Sequence, residues 1–235
     1  MKKVIIFILS IIIILCSSVI VHKCYLYYND SQAYSEIKKF KPIEKNLDEA
    51  ENNFIEDPLL KINSDYKFWI NINNTKIDYP VVQGSNNDFY LKHNFNKEES
   101  ISGCLFVDYN NNIDKDKNIV IYGHNMRNGT MFKDINNFKN QEFFFSNNIE
   151  IIKDGTKSIY EAFSVYVIPV NDLDIRLSFS SNEDYLEYLN MISEKSLYSK
   201  VIDIREAEDI ITLITCSYEY DDARTIVHGA RRLFP

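Results

Sequence analysis

The chain has 235 residues, of which 45% are hydrophobic, and its 26 basic and 34 acidic residues give a formal net charge of -8 at pH 7. This balance argues against nucleic acid as a partner, because neutralising phosphates requires a basic face. The chain contains only 6 glycines and 5 prolines but 16 tyrosines and 15 phenylalanines. This composition excludes the collagen-like and disordered classes of protein. The composition therefore predicts a folded domain with a sizeable core.

An uncharged apolar segment, Val4–Val21, opens the chain after two lysines. As a helix it would span about 27 Å, close to the roughly 30 Å hydrocarbon core of a bilayer. The preceding lysines favour a cytoplasmic N-terminus. No small-residue cleavage site follows, and neither Cys16 nor Cys24 has the small residues before it that a lipoprotein needs. We expect residues 1–24 to be a cytoplasmic tip and an uncleaved transmembrane signal-anchor; a cleaved signal peptide is the alternative.

Residues 25–60 are predicted to form a helical stalk outside the cytoplasm. Apolar residues recur at helical spacing over residues 30–57, with Tyr34, Ile37 and Phe40 on one face. A proline interrupts this pattern and a second one ends it. The expected role of such a segment is structural: it would pack against the domain that follows.

The rest of the chain, residues 61–235, alternates short strands with turns. The predicted strands are 68–72, 76–83, 103–108, 118–124, 148–154, 157–170, 210–216 and 224–229. Two helical insertions are predicted at 131–138 and 181–199, the second opened by a Ser180-x-x-Glu183 capping box. Eight short strands joined mostly by brief turns are typical of a barrel or sandwich.

Two cysteines, Cys104 and Cys216, fall in the predicted exported domain. Their spacing gives no metal or redox motif, and both a disulfide between them and free thiols are possible. Strand 210–216 ends in Cys216 before a polar stretch, so the sheet would hold this sulfur at a rim; the alternative is a small buried residue.

Arg224 and His124 are the candidate partners of that sulfur. If the last two strands are adjacent and antiparallel, Arg224 lies beside Cys216, where a guanidinium could stabilise a thiolate or an oxyanion. The alternative is an edge arginine paired with Asp221 or Asp222. Strand 118–124 ends in Gly-His, where glycine permits unusual backbone geometry and His124 would reach a rim.

Two other histidines compete with His124. His228 lies four residues from Arg224 on the same strand, roughly 13 Å away. His93 lies in a polar stretch, where a surface role is expected. A Cys–His–Arg constellation is thus the strongest candidate for chemistry, and it needs neither metal nor cofactor.

Together these residues resemble the sortases, and specifically class B. Thr215-Cys216 followed by Arg224 resembles the family's TLxTC…R signature, and residues 122–132 are similar to the class B histidine segment. Residues 69–83 resemble its opening strands. The helix at 181–199, between the sixth and seventh strands, is similar to the class B insertion.

The resemblance implies a mainly β fold, a closed eight-stranded barrel with N-terminal helices and a helix inserted between strands 6 and 7. It implies a membrane-anchored cysteine transpeptidase with its catalytic domain outside the cell. Cys216 would be the nucleophile. His124 would be the general acid and base, and Arg224 the donor to the oxyanion and substrate carbonyl.

The implied partners are secreted proteins with a C-terminal sorting signal, cleaved after threonine, and an amine of the peptidoglycan stem or cross-bridge. Ile214, Thr215 and Ser217 are the expected substrate-binding residues. Many class B members carry serine where this chain has Ile214, so the motif stays open between NPxTN-like and PxTG-like forms. The alternatives are an exported cysteine protease and a non-enzymatic surface binding barrel.

Overall fold

The computed structural model describes residues 2–44, 57–200 and 207–232. Its first element is one continuous helix, α1 (Lys2–Ile37, 36 residues), followed by a 3-10 turn at Lys38–Phe40. The sequence predicts a membrane segment and a separate stalk helix here. The structure joins them because no proline or glycine interrupts the helical backbone before Ile37. The predicted helical segment after Pro42 falls largely on residues 45–56, outside the described residues.

The end of α1 lies against the barrel. Asp30, Tyr34 and Ile37 are buried, at the spacing of a single helix face. Tyr34 donates a hydrogen bond to the carbonyl of Gly103 at 2.6 Å. Phe40, predicted on the same face, is exposed because α1 has ended and the 3-10 turn redirects the chain.

Eight strands follow, each close to its predicted position. They are β1 (Tyr66–Ile72), β2 (Asp78–Val82), β3 (Leu105–Val107), β4 (Asn118–Tyr122), β5 (Asn148–Lys153), β6 (Thr156–Pro169), β7 (Ala207–Cys216) and β8 (Ala223–Arg232). The other α-helices are α2 (Pro58–Ile62), α3 (Gln141–Ser146) and α4 (Asn182–Glu194). Further 3-10 helices cover Phe89–Leu91, Phe132–Lys139 and Val170–Asp172, the second in place of the insertion predicted at 131–138.

The strands form a closed barrel in the order β1-β2-β3-β4-β7-β8-β6-β5, which confirms the predicted eight-stranded barrel. The β2–β3 and β4–β7 pairs are parallel, and β1 closes the barrel by pairing with β5. Asp154 and Gly155 both have positive φ, as the tight β5–β6 hairpin requires.

Side chains of the central strands alternate between two apolar clusters, as strand geometry dictates. The inner cluster includes Ile121, Leu213 and Val227. The outer cluster includes Val120, Ile214 and Ile226. Helix α4 covers the outer cluster with its buried side chains Tyr185, Tyr188, Leu189 and Ile192.

Helix α4 lies between β6 and β7 as predicted, but its capping pair is displaced by one residue. The side chain of Ser181 accepts from the backbone N–H of Asp184 at 3.2 Å. The Asp184 carboxylate accepts in return from the backbone N–H of Ser180 at 2.9 Å. The predicted box of Ser180 and Glu183 was wrong because the helix begins one residue later, with Ser181 at the N-cap and Asp184 at the third helical position.

A buried hydrogen-bonded chain crosses the outer face beneath α4. Asn118 donates through Nδ2 to the carbonyl of Arg176 at 2.7 Å, so its Oδ1 accepts from the Thr212 hydroxyl at 2.6 Å. Thr212 must then accept from Nδ1 of His228 at 2.9 Å, which leaves Nε2 to accept from the Tyr166 hydroxyl at 3.0 Å. Burial lowers the pKa of this imidazole to about 3, so His228 is neutral at physiological pH and its Nε2 is the acceptor in this network.

We expect this neutral histidine to make the fold acid-sensitive. Because the pKa of His228 is 6.5 for an ordinary imidazole and about 3 in the fold, the unfolded chain binds more protons between these values. The stabilisation present above pH 6.5 is therefore lost as the pH falls, by about 2 kcal/mol between pH 7 and pH 5. Urea denaturation of the full chain in detergent measures this slope. The slope should flatten in His228→Gln, and an equal slope in the variant would contradict the assignment.

Candidate active site

Three neighbouring strands, β4, β7 and β8, bring the predicted catalytic residues to one end of the barrel. Cys216 is the last residue of β7 and pairs directly with Arg224 of β8, which puts their Cβ atoms about 5 Å apart. Strand β4 runs parallel to β7. The hydrogen bond from the N–H of Gly123 to the carbonyl of Ile214, at 3.2 Å, extends this register and brings His124 level with Cys216.

Cys216 and Arg224 occupy the outer face of the barrel, and the alternation of β4 predicts the same face for His124, two residues beyond that strand. Alternate residues of a strand share a face, so the members of the outer cluster set the orientation. In these strands, its members include Val120, Ile214 and Ile226. His124, Cys216 and Arg224 stand at even intervals from them and are each partly exposed, next to buried neighbours. The strand ends thus present a thiol, an imidazole and a guanidinium to solvent on one face.

Cys216 is a free thiol held by a rigid backbone. Its carbonyl accepts a hydrogen bond from Nδ2 of Asn125 at 2.7 Å. Cys104 is also free, so the disulfide considered from the sequence is excluded. Burial raises the pKa of the Cys104 thiol to about 12, which leaves it protonated and unreactive at neutral pH.

His124 is fixed by a tight turn after β4. A Cβ on Gly123 would lie 2.4 Å from Leu105 and 2.8 Å from the ring of Phe132, so glycine is needed here for space. Its φ is not positive, so the left-handed backbone geometry that glycine permits is not used here. Nε2 of His124 lies 2.8 Å from the carbonyl of Leu91. Because a carbonyl only accepts, Nε2 carries a proton and Nδ1 is the nitrogen left for proton transfer.

The Arg224 guanidinium has most of its donors unused. Among the residues that the structure describes, its one hydrogen bond joins a terminal nitrogen to the carbonyl of Ala223 at 3.0 Å. Within the described part of the chain it forms no ion pair, so the alternative pairing with Asp221 or Asp222 is not observed. The remaining N–H groups are available to an oxygen placed beside Cys216.

The competing histidines lie elsewhere. His228 pairs with Thr212 across β7 and β8, four residues from the Cys216–Arg224 pair, and is fully buried. His93 stacks on the ring of Phe89 with centroids 3.9 Å apart and contacts the carbonyl of that residue through Nδ1 at 2.8 Å. The register thus favours His124 over both.

The three residues expected to bind substrate are all buried. Ile214 packs into the outer cluster, and the Thr215 hydroxyl donates to the carbonyl of Gly123 at 2.7 Å. Ser217 bonds through its backbone N–H to the carbonyl of Ala223 at 2.8 Å. These contacts position the strand ends, and a direct role in substrate binding stays a prediction.

Sequence reasoning missed three residues that surround the site. Asn125 joins the histidine turn to the carbonyl of Cys216, and Tyr218 donates to the carbonyl of Asn125 at 3.0 Å. Leu91 supplies the carbonyl that holds His124. The one available signal was the position of Asn125 directly after His124.

Replacing Asn125 with alanine is expected to slow acylation of Cys216 by about tenfold, equivalent to ~1.4 kcal/mol, because a buried hydrogen bond that positions the cysteine is lost. A positioning role predicts a lower kcat with little change in KM. Steady-state kinetics of the full chain would measure both constants. Asn128→Ala is the control, since that exposed side chain bonds only to Thr130 in the same turn. Equal rates for the two variants would contradict the positioning role.

Comparison with known proteins identifies the family. Residues 70–232 match the Sortase domain. Sortase B of Listeria monocytogenes is 35% identical over 175 residues, covering 73% of this chain and 71% of the relative. The crystal structure of Clostridium perfringens sortase B superposes with a TM-score of 0.73 at 49% identity, covering 75% of this chain and 99% of that structure. A Staphylococcus aureus sortase B–substrate complex gives a TM-score of 0.75 at 25% identity, covering 88% and 98%.

The chain belongs to the sortase family of cysteine transpeptidases, and within it to class B. This confirms the resemblance drawn from the sequence. The closed mixed barrel with its N-terminal helix matches the solved sortase B structures. Among the residues that the structure describes, no group of three or more His, Cys, Asp or Glu side chains is arranged to hold a metal ion.

Proposed function

We propose that this protein is a membrane-anchored cysteine transpeptidase that cleaves a C-terminal sorting signal after threonine and joins the protein to a peptidoglycan amine. One observation carries the proposal. Strand pairing sets Cys216 opposite Arg224, and the turn after β4, a strand parallel to β7, brings His124 to the same end of the barrel. Acyl transfer through cysteine requires three groups close together: a nucleophilic thiol, an imidazole that transfers protons and a guanidinium that stabilises the oxyanion.

In the first step, the Cys216 thiol gives its proton to Nδ1 of His124, and the resulting thiolate attacks the carbonyl carbon of the threonine. The carbonyl oxygen gains negative charge as the tetrahedral intermediate forms, and the unused donors of Arg224 stabilise it. His124 then delivers a proton from Nδ1 to the departing amine while the peptide C–N bond breaks. The threonine carbonyl remains bonded to sulfur as a thioacyl enzyme.

In the second step, an amine of the peptidoglycan stem or cross-bridge attacks the thioester carbon. His124 takes the proton that the attacking nitrogen loses, the C–S bond breaks, and the Cys216 thiolate is restored. The reaction is a balanced exchange of one amide for another. The family membership and the substrate complex of the S. aureus relative support a peptide substrate.

Helix α1 supports a location at the cell membrane. It is long and apolar enough to cross a bilayer, with a mean hydropathy of 3.3 in its most apolar window, none of which is buried. The proposed division is a tip and anchor at 1–24, helices at 25–60 and the catalytic barrel at 61–235. The N-terminus would be cytoplasmic and the barrel extracellular, reached by a single pass.

Incubating the full chain with NPxTN-like and PxTG-like peptides tests this function and identifies the motif. An amide product that increases with added amine supports transpeptidation. Cleavage to the free acid at every amine concentration would instead support the cysteine protease alternative. If peptide binds without cleavage and Cys216→Ala binds equally well, the chain is a binding barrel.

A further inference from the structure

A turn between β2 and β3 is clamped to α1 near the point where the helix leaves its apolar segment. The Asp30 carboxylate accepts from the Ser100 hydroxyl at 2.9 Å and from the backbone N–H of Ser102 at 3.2 Å. Tyr34 donates to the carbonyl of Gly103 at 2.6 Å. These three bonds fix the turn 100–103 against the helix. Between them stands Ile101, whose apolar side chain is exposed.

Ile101 and the helix enclose an apolar groove of about 440 Å³. The residues that line it are Ser18, Val19, His22, Lys23, Leu26, Tyr27 and Ile101. Eight residues of helix separate Val19 from Tyr27, a rise of about 12 Å. The groove thus extends from the turn down to Ser18 and Val19, which belong to the apolar segment Val4–Val21.

This overlap sets the height of the barrel, given the membrane anchor proposed above. A segment that crosses the bilayer ends near the outer headgroups, so the groove runs from the acyl chains at Val19 into the interfacial layer at Ile101. Tyr25 and Tyr28 are exposed at the same level, as aromatic residues are at a membrane interface. His22 and Lys23 line the groove, where Lys23 supplies positive charge.

We propose that the groove between α1 and Ile101 binds a phospholipid of the outer leaflet, so that the barrel rests on the membrane at a fixed height. An acyl chain would lie against Val19, Leu26 and Ile101, and the lipid phosphate near Lys23. A lipid is the expected occupant because the groove is continuous with the apolar surface of α1 that would face the membrane. The inference rests on the proposed anchoring.

Depth-dependent fluorescence quenching tests the contact. The full chain carrying Ile101→Trp is reconstituted in phospholipid vesicles with brominated acyl chains and compared with unbrominated vesicles. The one native tryptophan, Trp69, is fully buried in the barrel and gives a constant background. Tyr25→Trp reports on the anchor. Tyr109→Trp is the matched control, an exposed aromatic position beyond the other end of β3.

We expect bromine to remove most of the emission gained from Trp at positions 25 and 101 and little of that at 109. Quenching at 25 without quenching at 101 would overturn the lipid contact and leave the anchor intact. Quenching at neither would show that the anchor is wrong and the inference with it. Equal quenching at 101 and 109 would also overturn the proposal, because the contact would then not belong to this groove.

Discussion

Cys216→Ala is expected to abolish thioacyl formation while the barrel stays folded. Removing the only thiol on the outer face removes the covalent route, so peptide cleavage should fall by on the order of 10⁴-fold or more. Cys216 is partly exposed at a strand end, and its backbone contacts with Asn125 and Arg224 do not involve the sulfur. Single-turnover cleavage and thermal unfolding of the full chain measure the two effects.

Cys104→Ala is the matched control for this experiment. Its side chain is buried, and its thiol donates to the carbonyl of Pro80 at 3.9 Å. The substitution should lower the free energy of unfolding by about 1 kcal/mol and leave the cleavage rate nearly unchanged. A comparable loss of activity in the Cys104 variant, or loss of cooperative unfolding in the Cys216 variant, would contradict the assignment of the nucleophile.

Arg224→Lys is expected to lower kcat by roughly 10²–10³, the effect of removing one donor from an oxyanion site. Lysine keeps the charge but cannot present two donors at fixed angles from a planar group. The acylation step should slow most, because the oxyanion first forms there. The melting temperature should change little, since Arg224 makes no ion pair with any described residue and its one hydrogen bond is to a neighbouring carbonyl.

Arg176→Lys separates this effect from the loss of an ordinary surface arginine. Arg176 pairs with Asp174 and Asp184 in exposed ion pairs, which contribute under about 1 kcal/mol. Its thioacyl formation should stay within a factor of about two of the unchanged chain. If Arg224→Lys is equally mild in the same single-turnover assay, Arg224 has no role at the oxyanion.

Most of the fold could be predicted because its strands carry local signals. Runs of β-branched and aromatic residues marked all eight strands, and Asp154-Gly155 marked a hairpin. The length of the N-terminal helix could not be predicted from hydropathy, because hydropathy changes near Val21 while the helical backbone continues to Ile37. The α4 cap differed by one residue because two adjacent serines offer equivalent acceptors. The local sequence pattern does not show which of the two serines is the N-cap residue.

The candidate site was predictable where it depends on strand register. A strand, a short loop and a second strand place Arg224 opposite Cys216, and the strand pairing confirms this placement. The supporting contacts were not predictable. The bond from Asn125 to Cys216 joins residues 91 positions apart in sequence, and the bond from Tyr218 to Asn125 joins residues 93 positions apart. His124 and the Leu91 carbonyl are 33 positions apart. Such contacts form only when the barrel closes, so no local sequence pattern predicts them.

The most direct test of a thioacyl transpeptidase is mass spectrometry of the full chain during turnover. The chain is mixed with a cleavable sorting peptide, first alone and then with a peptidoglycan-derived amine, and its proteolytic fragments are weighed. We predict an acyl adduct on the fragment that contains Cys216, which disappears as the amine is added and the amide product accumulates. A free-acid product with no adduct on Cys216, unaffected by the amine, would contradict the account.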